Sequence, residues 1–295
     1  MTQEFNRRTV LGGLGALAAL GPVGAIAPQN VAAENRSVIN FSDDLENVRA
    51  RVKLAGTIED GAVHYWSAGT IFGVTPDDTK PMVGWTNLLK MTWKNLGNGS
   101  FHCRNYDVGY FTEPGSYQRV EKFKNPFTGK INYPIDVRNG PFDIVLAPKQ
   151  HPHHILGDDI WFEEPKHFRF KNKLDPDQWP MSSTGEILNM LYIDGFHGKV
   201  SDLENDGTVS APSQVSIHHV NPWYPFFLMG KQAGVNYWHG RGIKVFDLSL
   251  VSSTMLDYVE TVVPGFLESD SPWLTRTDSY LKYKLLRKPV KNRLQ

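Results

Sequence analysis

The sequence predicts a mainly β protein: an antiparallel barrel or strongly curved, lipocalin-like sheet of the calycin type, with short helices at the C-terminal end. Short apolar runs bounded by turn residues recur about nine or ten times along the chain, as in all-β proteins. Strands do not alternate with helices, which disfavours a parallel α/β fold, and no repeat of fixed period occurs. The eight Trp, eleven Tyr and sixteen Phe residues also favour strands, because aromatic side chains fit a pleated, half-buried surface.

The first predicted element is a short helix over residues 40–53, for which Ser42 is the expected N-cap. The Asn- and Gly-rich residues 95–99 predict a tight turn that joins the second and third strands into a hairpin. Residues 250–263 have helical spacing and precede Pro264, and a further short helix is predicted within residues 272–286. The predicted strands lie, in chain order, over residues 63–72, 82–96, 101–112, 131–137, 142–146, 159–171, 186–193, 214–221 and 235–246.

Alternation along the second strand predicts which of its side chains face the interior. Six of them share one side, on which Asn87 is the only polar member: Val83, Trp85, Asn87, Leu89, Met91 and Trp93. In the third strand the pattern does not choose a side. One side carries His102 and Arg104, and the other carries Asp107.

Two adjacent histidines, His218 and His219, lie in the strand over residues 214–221. Neighbours on a strand point to opposite faces, so the two rings cannot bind one ion together. If Ser216 and Val220 face inward, His218 is the interior group. If Ile217 and the other residues on its side of the strand face inward, His219 is the interior group.

The first 33 residues have the layout of a twin-arginine signal peptide. Arg7 and Arg8 precede an uncharged apolar run over residues 10–27, and the small residues 31–33 offer a cleavage site before Glu34. Glycines and Pro22 make this run a poor spanning helix, so no stable membrane anchor is expected. We therefore expect export by the twin-arginine machinery to the periplasm, and one β-rich domain over residues 34–295.

Charge and cysteine content narrow the classes of partner. The 31 Lys and Arg balance 31 Asp and Glu, so the chain has no electrostatic footprint for nucleic acid. The basic residues 282–293 have almost no aromatic side chains for stacking on bases, which is typical of a solvated tail. Cys103 is the single cysteine, so no intramolecular disulfide forms, and its apolar surroundings favour packing over catalysis.

Motifs of well-known mechanisms are missing from the sequence. It contains no Gly-x-Ser-x-Gly, no phosphate-binding loop, no Gly-x-Gly-x-x-Gly, no His-Glu-x-x-His and no Cys-x-x-Cys. We therefore expect no organic cofactor, and the alternative is a divalent metal. The metal alternative uses His151 and His153, whose spacing in an extended chain places both rings on one side, with Asp158 nearby. Lys149, Gln150 and Pro152 favour a solvated loop for this segment.

Strand parity and residue type together nominate a candidate site. His102 or His218 would move a proton, and Arg104 would hold an anionic or carbonyl oxygen. The side chains expected to bind a small hydrophobic or aromatic ligand are Trp66, Trp85, Asn87, Trp93, Tyr106 and Trp238.

Several stretches resemble a known family, the domain-of-unknown-function family numbered 1838. Residues 125–130 (NPFTGK), followed by 139–142 (NGPF), are similar to its "NP-x-TG … GP" segment. Residues 223–230 (WYPFFLMG), 263–266 (VPGF) and 271–273 (SPW) are similar to its C-terminal part. The resemblance implies a mainly β fold, and many bacterial members carry a twin-arginine leader. It implies no agreed activity and no site residues, and the histidines at 151–154 depart from the family pattern.

Three functions fit these observations. The first is a periplasmic enzyme, a lyase, isomerase or hydrolase that works by acid–base chemistry in a β-barrel pocket. The second is a lipocalin-like binding protein that carries an apolar ligand without catalysis, and its pocket would hold no titratable group in contact with the ligand. The third is a metal-dependent enzyme that uses His151 and His153.

Overall fold

The structure is a computed structural model that describes residues 37–134, 136–171 and 187–268. Over these residues the chain is mainly β, as predicted. Nine strands form one antiparallel sheet that curls into half a barrel, accompanied by a few short helices. Within the described ranges, no helix is long and apolar enough to cross a membrane. The predicted helix within 272–286 and the predicted leader lie outside the described residues.

The strands are β1 Gly61–Val74, β2 Thr79–Gly97, β3 Ser100–Thr112, β4 Phe123–Lys124, β5 Ile131–Asn132, β6 Val137–Leu146, β7 His153–Leu156, β8 Asp159–Lys171, β9 Ile187–Lys199, β10 Gln214–Asn221 and β11 Val235–Val245. The helices are α1 Asp44–Ala55, α2 Val200–Glu204 and α3 Ser253–Val262. Neighbours in the sheet follow the order β6-β3-β2-β1-β11-β10-β9-β8-β7, and β4 and β5 form a separate two-stranded sheet. Most strand bounds match the predicted ones within a few residues, because the turn residues that end each strand are visible in the sequence.

Three local predictions differ from the structure. Helix α1 begins after Asp43 rather than Ser42, because the Asp43 carboxylate accepts hydrogen bonds from the amides of Leu45 and Glu46 at 2.9 and 3.0 Å. Helix α3 begins after Ser252, whose hydroxyl accepts from the Met255 amide, and so it starts later than predicted. The histidine-rich segment predicted as a loop forms β7 in part, since it pairs with β8.

One face of the sheet is concave. The rings of Tyr65 on β1 and Phe196 on β9 lie 5.6 Å apart, although β11 and β10 separate these strands. In a flat sheet three strand spacings would place them about 14 Å apart. We call the side that carries Tyr65 the concave face and the opposite side the convex face.

Two apolar clusters close the ends of the concave face. At one end α1 packs on the sheet through Val48, Val52, Tyr65, Met91, Trp93, Phe101, Cys103 and Val215. At the other end the segment after β10 packs on it through Ile71, Trp85, Phe111, Trp223, Phe226, Phe227, Leu228 and Trp238. Burial of these side chains is the main force that holds the curl, since each large apolar side chain contributes about 1.5–3 kcal/mol. The centre of the concave face lies between the two clusters.

The convex face is covered over its first strands by α3 and the residues after it. This cluster contains Leu88, Tyr106, Val108, Tyr110, Val245, Met255, Val259 and Phe266. The predicted interior side of β2 is confirmed, because Val83, Trp85, Met91 and Trp93 all belong to the concave clusters. The other side of β2 is not solvated, however, since Leu88 lies beneath α3.

A buried lysine, Lys244, holds α1 against the rest of the fold. The ammonium group of Lys244 on β11 donates to the carbonyl oxygens of Gly56 at 3.0 Å and Ala211 at 2.8 Å. The carbonyl of Gly56 belongs to the C-terminal end of α1, where backbone acceptors lack partners in the helix. Burial lowers the pKa of Lys244 to about 7. Lys244 therefore fixes the helix that closes one end of the concave face.

Candidate active site

A group of polar side chains lies at the centre of the concave face, between the two apolar clusters. They come from β2, β3, β6, β9 and β10, so no short stretch of sequence contains them. We call them the central polar cluster: Asn87, Asp107, Asn139, Tyr192, Asp194 and His219.

Asp107 is the carboxylate at the β3 side of this cluster. The side-chain amide of Asn87 donates to its Oδ1 at 2.5 Å, and that of Asn139 donates to its Oδ2 at 3.0 Å. Burial raises the pKa of Asp107 to about 6, although both amide donors favour the charged form. The charge of His219 acts to lower this pKa and that of Asp194 acts to raise it, so the three groups are electrostatically coupled across the curl.

Asp194 and His219 form a hydrogen-bonded pair at the β9 side of the cluster. The Nε2 atom of His219 lies 2.7 Å from Oδ1 of Asp194, and the two side chains are 19% and 27% exposed. Burial acts to raise the pKa of Asp194, but the charge and hydrogen bond of His219 outweigh it and the net pKa is lowered. Asp194 is therefore ionised at neutral pH and can only accept a hydrogen bond.

This pairing sets the tautomer of His219. An ionised carboxylate requires a proton on Nε2, so the neutral ring carries its lone pair on Nδ1. The ring stacks on Tyr192, with centroids 3.8 Å apart and planes 8° apart, which fixes its orientation. His219 is thus held with Nδ1 as a base.

Tyr192 connects the polar cluster to the aromatic end of the concave face. Burial raises its pKa to about 12, and its hydroxyl group is hydrogen-bonded to Tyr224. Tyr224 lies in the segment after β10, with its ring 6.2 Å from that of Trp238. The ring of Trp238 in turn lies 5.4 Å from that of Trp85. These rings border the polar cluster, and we call Trp85, Trp238 and Tyr224 the aromatic wall.

A glycine makes room for this wall. Gly240 on β11 lies beneath Trp85, and a Cβ atom at this position would approach the Trp85 ring to 2.4 Å and the Ala68 carbonyl oxygen to 2.7 Å. Such distances are much shorter than a normal contact. The ring therefore needs a residue without a side chain under it.

The structure divides the predicted ligand-binding residues between the two faces. Asn87 belongs to the central polar cluster, and Trp85 and Trp238 border it. Trp93 is buried in the cluster around α1. Trp66 and Tyr106 instead lie on the convex face, in the cluster beneath α3. The six residues predicted to share one pocket therefore do not share one.

His102 and Arg104 also lie on the convex side. His102 Nε2 lies 2.8 Å and Arg104 Nε 2.7 Å from Oδ1 of Asp143 on β6, and both side chains are about one-third exposed. Cys103 lies between them in the strand and packs with the cluster around α1 on the concave face, so its two neighbours point to the convex side. The sequence pattern of β3 did not show which of its sides faces inward, and packing decides this. Asp107 lies on the concave side of β3.

The choice between the adjacent histidines is decided in the same way. Val215 and Ile217 pack against the concave clusters, so His219 shares their face and His218 points to the convex one. His218 contacts Tyr237 and His239 there. The interior histidine is therefore His219, and the alternative that places His218 inside is wrong.

The three residues of the predicted metal alternative are not brought together. His151 is buried against the guanidinium group of Arg51, and burial followed by the charge of Arg51 lowers its pKa to about 4. His153 contacts Asn47, while Asp158 accepts from the amide and hydroxyl of Ser201, each at 2.9 Å. Across the described ranges, no group of three or more His, Cys, Asp or Glu side chains is placed to hold a metal ion.

Sequence reasoning missed Asp107, Asn139, Tyr192, Asp194 and His219 as one group. One signal was available, since Asp107 and Asp194 are the acidic residues of otherwise apolar or small strand segments. A carboxylate on a buried strand face is costly unless it is paired or functional. That signal does not show which strands meet across the curl.

Comparison with known proteins agrees with the resemblance noted in the sequence. The family model described as "Protein of unknown function (DUF1838)" matches residues 60–284, which include the whole central polar cluster. A comparison with curated proteins found no match. Because the family model spans most of its length, the chain belongs to the DUF1838 family.

Proposed function

We propose that this protein is an acid–base enzyme, a lyase, isomerase or hydrolase that needs no organic cofactor and acts on a small hydrophobic or aromatic molecule. The reaction takes place at the central polar cluster. One observation carries the proposal: the pKa of Asp107 is raised to about 6, while that of Asp194, which pairs with His219 in the same cluster, is lowered. Carboxyl groups whose pKa values are driven apart are the usual basis for separate acid and base roles.

Each group has a definite role in this proposal. His219, oriented by Asp194 and by the ring of Tyr192, removes a proton from the substrate through Nδ1. Asp107 in its protonated form donates a proton to the developing negative charge, and it is half-protonated near pH 6. Trp85 and Trp238 of the aromatic wall hold the apolar part of the substrate.

The free-energy cost of burying the charged form of Asp107 favours an enzyme over a carrier. A protein that only carries an apolar ligand gains nothing from a carboxyl group whose charged form is disfavoured by burial. Asp107 nevertheless lies at the centre of the concave face, where the charges of His219 and Asp194 act on it. Such perturbed groups concentrate at catalytic sites.

The place of action belongs to the same proposal. We expect the twin-arginine pathway to export the folded chain and a peptidase to remove residues 1–33. The intact mass of protein recovered from the periplasm should then correspond to residues 34–295. Replacement of the pair, Arg7→Lys with Arg8→Lys, should retain the protein in the cytoplasm. Recovery of the uncut double variant in normal amounts from the periplasm would contradict this route.

The catalytic proposal is tested by a search for the substrate in cell extract. A small-molecule extract of the producing cells is incubated with wild-type protein or with the His219→Gln variant, and compounds that change are found by mass spectrometry. The matched control is His102→Gln, which removes a histidine that is also paired with an aspartate but lies on the convex side. We expect His219→Gln to reduce the turnover of any identified substrate by about 100-fold or more, as general-base removal does.

The two histidine variants distinguish the possible outcomes. Normal turnover by His102→Gln and loss in His219→Gln support the proposed site. Loss in His102→Gln with normal turnover by His219→Gln would move the reaction to the convex side and sink the proposal. A compound that binds to the wild-type protein and is released unchanged would identify a carrier.

A further inference from the structure

The convex face carries a histidine pair that the proposed reaction does not use. His218 on β10 and His239 on β11 are directly opposite each other in the antiparallel register. Their Nδ1 atoms lie 3.4 Å apart, and their ring centroids are 5.1 Å apart. Tyr237, two residues before His239, places its hydroxyl oxygen 2.7 Å from Nδ1 of His218. A second imidazole nitrogen and a phenol oxygen therefore both lie within 3.5 Å of Nδ1 of His218.

From this arrangement we infer a binding site for one divalent transition-metal ion of the Zn²⁺, Ni²⁺ and Cu²⁺ class, held by His218, His239 and Tyr237. Two imidazole nitrogens bound to one tetrahedral ion at about 2.0–2.1 Å lie about 3.3 Å from each other. The two Nδ1 atoms already have nearly this separation in the structure. Imidazole nitrogen and phenol oxygen are ligands that these ions accept, whereas Mg²⁺ and Ca²⁺ prefer oxygen alone.

An ion can reach the histidine pair from solvent. His239 lies at the exposed surface, and His218 is half-buried beside it.

The site is separate from the proposed reaction. His218 and His219 are adjacent in sequence, but alternation places them on opposite faces of β10. It also differs from the metal site predicted at His151 and His153. Among the described residues around this site, a group of three His, Cys, Asp or Glu side chains is absent, because the third ligand is a tyrosine.

The test measures metal binding directly and needs no turnover, so the two proposals stand or fall separately. Untagged wild-type protein is freed of metal with a chelator and titrated with Zn²⁺ by calorimetry and with Cu²⁺ by electron paramagnetic resonance. The variants are His239→Ala, which truncates an exposed side chain, and Tyr237→Phe. The control is His167→Ala, which removes an exposed histidine that is hydrogen-bonded to Asn189 instead.

We expect the wild-type protein to bind one equivalent of metal, with nitrogen hyperfine coupling in the copper spectrum. His239→Ala should weaken binding by about tenfold or more, Tyr237→Phe should weaken it less, and His167→Ala should leave it unchanged. Equal affinity in wild type and His239→Ala would overturn the inference. So would the failure of wild-type protein to bind either ion, or an equal loss of binding in the control His167→Ala.

Discussion

Replacing Asp107 with asparagine should stabilise this protein at neutral pH and abolish its reaction. The carboxyl group of Asp107 is half-buried, and desolvation raises its pKa to about 6, against an ordinary value of 3.8. The substitution keeps the shape of the side chain but removes the charge. Asn87 can accommodate it, because its buried Oδ1 atom has no hydrogen-bond partner among the described residues and can accept from the new amide after a flip.

The expected size of the effect follows from proton linkage. A carboxyl group with a raised folded-state pKa takes up its proton more readily in the folded protein than in the unfolded chain. Its cost is therefore absent below about pH 4, where both states are protonated, and is fully present above about pH 6. The difference between 3.8 and about 6 corresponds to about 3 kcal/mol of unfolding free energy, an upper value for a group that lines an accessible face.

Thermal unfolding at pH 4 and at pH 7.5 measures this effect. At pH 7.5 the Asp107→Asn variant should unfold about 6 °C above the wild type, and at pH 4 most of this difference should vanish. Asp143→Asn is the control. The pKa of Asp143 is lowered, mainly by its hydrogen bond with Arg104, so replacement of Asp143 should not raise the unfolding temperature at pH 7.5. A variant at Asp107 that is no more stable at pH 7.5, or equally stabilised at both pH values, would refute the reasoning.

Three further substitutions have defined outcomes. Asn139→Ala removes a donor to the charged form of Asp107. The pKa of Asp107, followed by NMR on labelled aspartate, should then rise, and an unchanged value would contradict the role of Asn139. Gly240→Ala should cost about 2–3 kcal/mol in chemical denaturation, because its Cβ would enter the Trp85 ring, while Gly61→Ala, with no neighbour nearer than 3.9 Å, should be near neutral. Lys244→Met removes the ammonium group that donates to the carbonyls of Gly56 and Ala211, and it should cost about 1–3 kcal/mol; equal midpoints would argue against it.

Strand positions were readable from the sequence because the signals that start and end a strand are local. The bounds of β8 and β10 agree with prediction, since turn residues flank both strands. The interior side of β2 was also predicted, because its apolar residues recur with a period of two. The helix caps were less predictable: Ser42 and Asp43 are both good caps, and only the backbone decides which one is used.

Site residues were harder to predict because alternation alone does not show which side of a strand faces the interior when both sides are apolar. On β3 one side packs under α3 and the other on α1, so His102 and Asp107 were equally good candidates for the interior. The same ambiguity placed His218 where the structure places His219. Trp66 and Tyr106 are aromatic because they lie under the helical layer of the convex face, not because they line a ligand site.

Sequence alone established the fold class, the family resemblance and most of the strands, because periodicity and turn chemistry act over a few residues. The central polar cluster was decided by tertiary structure, since the curl brings Asp107 on β3 within electrostatic reach of His219 and Asp194, which lie four and five strands away along the sheet. The curl depends on burial of apolar side chains from α1 and from the segment after β10. Hydrophobic burial of this kind is non-directional and sums over the whole molecule, so no local pattern records it.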